Sequence, residues 1–228
     1  MKPIIIYSMP RTQSTVILES CKRTTKLSEP FDRWALFGRE STLDPFHPGR
    51  YNSISDEEWD KTFSVYNDAD TAIKFFGSSL YFCLPARRWY QQVLTTQSHD
   101  IFVTVRDLPS QMMSLLISYH FGFSTAQEKP HELKPIEVQN FYFSWLTSSI
   151  DHFIRFFPSY GTLVNYDNMP SSHFDSSLSI SKIQHTLDKS KYITNLDFCQ
   201  EKINDIIQYY QKEYDEKIAS LKTRELPF

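Results

Sequence analysis

Ile4-Ile5-Ile6-Tyr7 runs directly into Ser8-Met9-Pro10-Arg11-Thr12-Gln13-Ser14-Thr15, and from there into an amphipathic stretch. A short continuous apolar run is the pattern of a parallel strand buried on both faces, so the order reads strand, loop, helix. A helix beginning just after such a strand aims its unsatisfied N–H groups at the loop, where Arg11, Thr12, Ser14 and Thr15 add side-chain donors. That chemistry suits a phosphate or a sulfate. The loop lacks both glycines and the lysine of G-x-x-x-x-G-K-[ST], which counts against an ATP or GTP site.

The alternation continues downstream. Thr15 to Lys26 predicts a first crossover helix ending in basic Lys22, Arg23 and Lys26, and Leu27-Ser28-Glu29-Pro30-Phe31 predicts a brief second strand stopped by proline. Asp32 to Asp70 reads as a loop-rich insertion with a short helix near Asp56 to Val65, where Trp34, Phe37, Phe46 and Tyr51 are irregularly spaced. Thr71 to Phe76 is a strand, followed after Gly77 by a helix through Leu94. Asp100 to Arg106 is the clearest interior strand, and Asp107 and Pro109 open a helix as N-cap and first-turn proline. Val138 to Phe157 has helical spacing, Gly161 to Tyr166 reads as a last strand, and Ser181 to Leu221 as two helices. Strands alternating with helices imply an α/β fold: three layers, with a mostly parallel sheet flanked by helices. The expected organisation is one domain over residues 1–228, with 32–70 as insertion and 181–221 as a C-terminal helical extension.

A chain of 228 residues with 40% hydrophobic and 15% aromatic content can bury a full core. Its net charge of −3 and pI near 6.2 argue against a protein that coats nucleic acid, so any positive site must be focal. Cys21, Cys83 and Cys199 are far apart without C-x-x-C spacing, which suggests neither a disulfide framework nor a zinc site; no metal is called for. There is no bilayer-length apolar run and no signal-peptide pattern, so the expectation is a soluble, cytoplasmic protein without nucleic-acid or membrane partners.

In an open parallel sheet, ligands sit at the carboxyl ends of the strands, so the Arg11 loop and Arg106 share a crevice if their strands are neighbours. Ser114 falls two turns into the helix after Arg106, and a guanidinium with a hydroxyl can grip a terminal phosphate. The alternative is an arginine in a surface ion pair and a serine on an exposed helix face. For Glu29 the alternative to a chemical role is a carboxylate paired with Lys26 or Arg33.

Taken in order, Pro10-Arg11-Thr12-Gln13-Ser14-Thr15, Ser28-Glu29-Pro30-Phe31, Val105-Arg106-Asp107 with Ser114, and Val164-Asn165-Tyr166-Asp167-Asn168-Met169 resemble the landmarks of the P-loop-like sulfotransferase family. The likeness is closer to the carbohydrate, tyrosylprotein and bacterial branches than to the cytosolic one. It implies in-line transfer of a sulfuryl group from 3′-phosphoadenosine 5′-phosphosulfate (PAPS) to the hydroxyl of a small-molecule or carbohydrate acceptor, without a metal. It puts Arg11, Thr12, Gln13, Ser14 and Thr15 on the 5′-phosphosulfate and Arg106 with Ser114 on the 3′-phosphate. Arg11 would stabilise the departing 5′-phosphate oxygen, and Glu29, partly buried among prolines and aromatics, would act as general base. Lys74 stands where a strand in relatives often carries lysine. Gln13 replaces the loop glycine, Phe76 occupies the place of the basic histidine of cytosolic relatives, and their C-terminal phosphate loop is missing, with Lys222 and Arg224 as distant substitutes. The alternatives are a nucleotide-binding P-loop-like kinase and a catalytically inactive protein that retains the PAP/PAPS fold.

Overall fold

The computed structural model describes residues 1–12, 14–31, 54–121, 130–135, 137–165 and 189–223. The opening apolar run forms β1 (Ile4–Ser8), and every residue in it is buried. On one side of it lie β3 (Thr71–Phe76) and then β2 (Thr25–Ser28); on the other lie β4 (Asp100–Val105), β5 (Thr162–Asn165) and the short β6 (Lys222–Thr223). The order of this six-stranded sheet is β2-β3-β1-β4-β5-β6, and every pairing is parallel. Ile5 registers with Ile73 and Ile101, and Tyr7 with Phe75 and Val103.

Because side chains alternate along a strand, β1 feeds both layers. Ile4 and Ile6 pack with Ala72, Phe102 and Val164 beneath Ile17, Leu18 and Cys21 of and just after α1 (Ser14–Ser20). Ile5 and Tyr7 enter the larger cluster on the other face, under α3 (Gly77–Phe82), α4 (Leu84–Thr96), α5 (Leu108–Phe121), α6 (Glu137–Arg155) and α7 (Leu196–Ala219), with α2 (Asp56–Tyr66) also contributing. The architecture is the expected α/β sheet flanked by helices. Local chemistry sets several boundaries. A capping box between Ser55 and Glu58 starts α2, and the Asp107 carboxylate accepts from the Ser110 amide at 3.0 Å at the start of α5. Among the described residues no helix is long and apolar enough to cross a membrane.

Two element boundaries differ from the sequence expectation. The first helix ends at Ser20, not Lys26, because Thr25 to Ser28 leave it to pair with Thr71 to Lys74 as the edge strand β2. The helix expected after Gly77 is broken at Cys83, since Pro85 lacks an amide donor and its ring would collide with a preceding carbonyl in a continuous helix. Among the described residues of the 181–221 stretch, which begin at 189, there is a 3₁₀ turn (Lys189–Lys191) and one 24-residue helix, α7. Cys199, Ile203, Ile207 and Tyr214 of α7 sit in the main core and β6 extends the sheet, so this segment is built into the domain. Gln13, most of the 32–70 insertion with Arg33 and its aromatics up to Tyr51, Tyr166-Asp167-Asn168-Met169 and Arg224 lie outside the described residues.

The turn from β3 into α3 is set by close packing. Tyr7 donates its hydroxyl to the Phe153 carbonyl at 2.8 Å, and a Cβ on Gly77 would stand 2.4 Å from the His152 carbonyl oxygen and 2.7 Å from that Tyr7 hydroxyl. Backbone cannot yield there as a flexible side chain would. We expect Gly77→Ala to lose about 1–3 kcal/mol in urea denaturation, the usual cost of overpacking.

At the opposite edge His99 is fully buried, donating from Nε2 to the Tyr66 carbonyl at 3.0 Å and accepting at Nδ1 from Ser98 at 3.0 Å. Burial holds its pKa below the ordinary histidine value, and burial acts in the same direction on His120 and His152. The unfolded chain therefore takes up protons first, so this stability is complete above about pH 6.5 and is lost as pH falls through the folded values. The urea midpoint should drop from about pH 7 to about pH 5, with a shallower slope in His99→Gln.

Candidate functional site

With β3 and β4 on opposite sides of β1, the chain leaving β1 and the chain leaving β4 diverge, which opens a crevice at the carboxyl edge of the sheet. The loop after β1 is fixed there by side chains that are distant in sequence. Thr12 is fully buried; its hydroxyl donates to the Met9 carbonyl at 3.0 Å and pairs at 2.7 Å with that of Thr104, near the end of β4. Gln111, also fully buried, donates from α5 to the Pro10 carbonyl at 2.8 Å. Between these anchors Arg11 adopts a left-handed backbone conformation (φ 71°), and its Nε donates to the Ser114 hydroxyl on α5 at 3.1 Å. Arg11 and Ser114, expected in two separate anion-binding elements, thus touch.

A second cluster adjoins the start of α1. Glu29 follows β2, again left-handed (φ 54°), with its amide donating to the Lys74 carbonyl at 2.7 Å. The Lys74 ammonium donates to the Glu29 carboxylate at 2.7 Å and to the Thr15 hydroxyl at 3.0 Å, and lies 5.0 Å from the centre of the Phe76 ring. The two partners are unequally buried: the Lys74 side chain is 4% exposed and that of Glu29 35%. Glu29 is therefore the counter-ion of a buried lysine, in place of the apolar enclosure expected for it, while Lys26 lies beside Glu19.

Arg106 stands directly after β4, and its carbonyl accepts from the Tyr214 hydroxyl at 3.4 Å. Lys189, on the 3₁₀ turn, is close enough that the Arg106 guanidinium adds to burial in pushing its pKa down, with Asp107 acting against both. Asp107 is thus an anion already near this pair of cations. Ser14 is buried and Thr15 exposed at the start of α1, and Ser8 ends β1 with a buried hydroxyl oxygen that has no hydrogen-bond partner.

The structure brings Arg11 to Ser114, and Thr15 to Glu29 through Lys74. Thr12 holds the loop together from inside. Thr104, Gln111 and Lys189 were not singled out from the sequence. Gln111 carried a usable signal, a polar residue just before the mostly apolar stretch Met112 to Ile117, interrupted only by Ser114; Lys189, in an otherwise polar stretch, carried none.

Comparisons with protein-family models, curated proteins and solved structures found no match.

The unequal burial of the Lys74–Glu29 pair gives it a direction. Removing Glu29 strands a buried ammonium, whereas removing Lys74 leaves a carboxylate that water can reach. Glu29→Ala should cost roughly 2–3 kcal/mol, below the ~3–5 of a fully buried pair, and Lys74→Met less than about 1. Chemical denaturation of both variants and of the double variant, which should fall near Lys74→Met, checks this ordering.

Proposed function

We propose that this protein is a sulfotransferase that moves a sulfuryl group from PAPS to the hydroxyl of a small-molecule or carbohydrate acceptor. The observation that carries this reading is the 3.1 Å hydrogen bond from Arg11 to Ser114, because it joins the loop after β1 to the helix after β4. Residues that the family resemblance assigns to the two ends of one nucleotide therefore share one crevice. A donor with separate 3′ and 5′ anions needs two cationic centres. Arg11 and Lys74 lie at the β1 loop, and Arg106 and Lys189 gather at the end of β4.

In the proposed reaction the acceptor oxygen attacks sulfur in line as the bond from sulfur to the 5′-phosphate oxygen breaks. The acceptor proton passes to the Glu29 carboxylate, and the electron pair leaves with the nucleotide. Arg11 stabilises the charge that grows on the departing oxygen, where a preorganised donor acts most strongly. Ser14 and Thr15 orient the group, and Lys74 holds Glu29 against the loop. Buried free thiols at Cys21, Cys83 and Cys199, pushed up to about 11, 12 and 11, support placing the protein in the reducing cytoplasm. The engagement of Glu29 by Lys74 favours one second reading, a nucleotide-binding protein that does not catalyse transfer.

Calorimetric titration with 3′-phosphoadenosine 5′-phosphate in the presence of a chelator tests the donor site. We expect it to bind at least about tenfold tighter than ATP, and Arg106→Ala or Arg11→Ala to weaken it by about 10- to 100-fold, the loss of a charge-assisted hydrogen bond. Equal binding of ATP, or none of either, overturns the assignment. With PAPS and an acceptor panel, Glu29→Gln should abolish transfer while retaining nucleotide affinity; unchanged transfer removes Glu29 from the mechanism, and no transfer by the wild type favours the second reading.

A further inference from the structure

A cavity of about 270 Å³ lies between α3, α5 and α6, lined by Ser78, Phe82, Tyr119, Trp145, Ser148 and His152 among others. Three observations put it on the carboxyl side of the sheet, beside the crevice. Ser78 lies in the first turn of α3, which follows β3 directly, and four residues of chain from Lys74 span at most about 14 Å. Tyr119 follows Ser114, the partner of Arg11, by five residues of α5, a rise of about 7.5 Å. Tyr7, one residue from the carboxyl end of β1, donates to the carbonyls of His152 and Phe153 at 3.3 and 2.8 Å. From that crossing α6 leads on to the start of β5, at the amino edge of an all-parallel sheet, so Trp145 to Ser149 precede it on the carboxyl side.

The walls are largely aromatic: Tyr119 meets Trp145 edge-on at 5.5 Å, and Phe82 meets the His152 ring edge-on at 5.8 Å. Among the described residues that line it there is no lysine, arginine, aspartate or glutamate, and burial favours the neutral form of His152. Two of its serine hydroxyls are engaged by their own helix, Ser144 donating to the Asn140 carbonyl at 2.7 Å and Ser149 to that of Trp145 at 2.9 Å. An ion would lose hydration here without meeting a counter-charge, and each sugar hydroxyl left unpaired would cost about 1–3 kcal/mol. An aromatic guest instead gains offset and edge-to-face contacts. The volume exceeds the ~150 Å³ apolar cavity that accommodates benzene and approaches the ~300 Å³ lower bound of small-molecule pockets. Ser144 and Ser148 are exposed, so their part of the wall is the side open to solvent.

We propose that the acceptor is an uncharged aromatic hydroxyl compound of one or two rings, not a carbohydrate, whose ring body occupies this cavity while its hydroxyl points out of it towards the Arg11 loop and Glu29. This inference rests on the PAPS reading and narrows it. The acceptor oxygen forms the new bond to sulfur, the bond from sulfur to the 5′-phosphate oxygen breaks with its electron pair going to the nucleotide, and the hydroxyl proton goes to the Glu29 carboxylate. The cavity walls take no part in the transfer; they select which hydroxyl is presented to it.

The test is calorimetric titration of the full chain, saturated with 3′-phosphoadenosine 5′-phosphate, with naphthol, decahydronaphthol and methyl glucoside, together with transfer from PAPS to each. Naphthol should be sulfated and should bind at least about tenfold tighter than the glucoside and about threefold tighter than the saturated alcohol. Ser148→Trp, at an exposed helix position, fills the open side and should abolish naphthol binding and transfer while the nucleotide still binds with wild-type affinity, which reports an intact fold and donor site. Ser144→Trp, also exposed, makes the same test should the first variant not fold. With the nucleotide bound, absence of naphthol binding, equal affinity for the glucoside or the saturated alcohol, or naphthol binding that survives the tryptophan substitution overturns the acceptor site and leaves the donor reading standing. Failure of the nucleotide itself to bind overturns the donor reading, and the acceptor role with it.

Discussion

A strand with no exposed residue must find backbone partners on both edges and apolar cover on both faces, and β1 is such a strand. That requirement brings β3 and β4 to its sides in register and divides the apolar residues into two layers. It also fixes where the crevice opens. Flanked by strands whose connections run in opposite directions, β1 can only release its chain at the switch point of the sheet. The polar loop appears where the apolar run stops, so the demand for burial and the placement of the site have one origin.

The loop is not held by its own short-range structure. Thr12 reaches Thr104, Gln111 reaches Pro10 and Arg11 reaches Ser114, so the chain after β1 is fixed by residues about a hundred positions away. These contacts exist only once β4 and α5 have docked. Preorganisation at the crevice is therefore a consequence of the completed sheet, and buried polar pairing at Thr12 and Gln111 makes the loop's position specific as well as stable. The Lys74–Glu29–Thr15 cluster acts similarly between β3, the end of β2 and the start of α1, with a buried ammonium as its hub.

What was legible in the sequence divides along the same line. Continuous apolar runs at Ile4 to Tyr7 and Ile101 to Val105, a proline-free interior in each, and Asp107 at a helix start are local signals, and the strands and helices they predict are present. Boundaries failed where tertiary pairing overrode local preference. Lys22 to Lys26 looks like a basic helix end, but β3 offers Thr25 to Ser28 a ladder, and the chain takes it. Cys83 marks a break because Pro85 follows, a signal that was present and unread. For the site, residue types and order carried Arg11, Glu29 and Arg106 into view, since each sits just beyond a strand end, and Ser114 by its spacing from Arg106. The partners were not legible. That Glu29 meets Lys74, or that Lys189 approaches Arg106, depends on strand order and on a turn packed from far along the chain.

Backbone strain adds an independent argument about where function lies. Among the described non-glycine residues, Arg11, Glu29 and Gln97 have positive φ, a conformation that costs an L-residue roughly 1–2 kcal/mol and that glycine adopts freely. Gln97 ends α4, where a left-handed residue is an ordinary helix stop. Arg11 and Glu29 instead follow β1 and β2 at the carboxyl edge, with β3 between them, in a chain whose five glycines show how sparingly it uses them. A glycine at either position would relieve the strain, yet each is occupied by a charged side chain that reaches a partner on another element: Ser114 for Arg11, Lys74 for Glu29. The ion pair with the buried Lys74 is by itself sufficient ground for the strain at Glu29, whereas the single charge–hydroxyl contact of Arg11 is weak ground, in stability alone, for keeping a strained residue. The placement of Arg11 makes sense if its side chain is needed at that edge for a ligand, because the strain is held there by the surrounding fold.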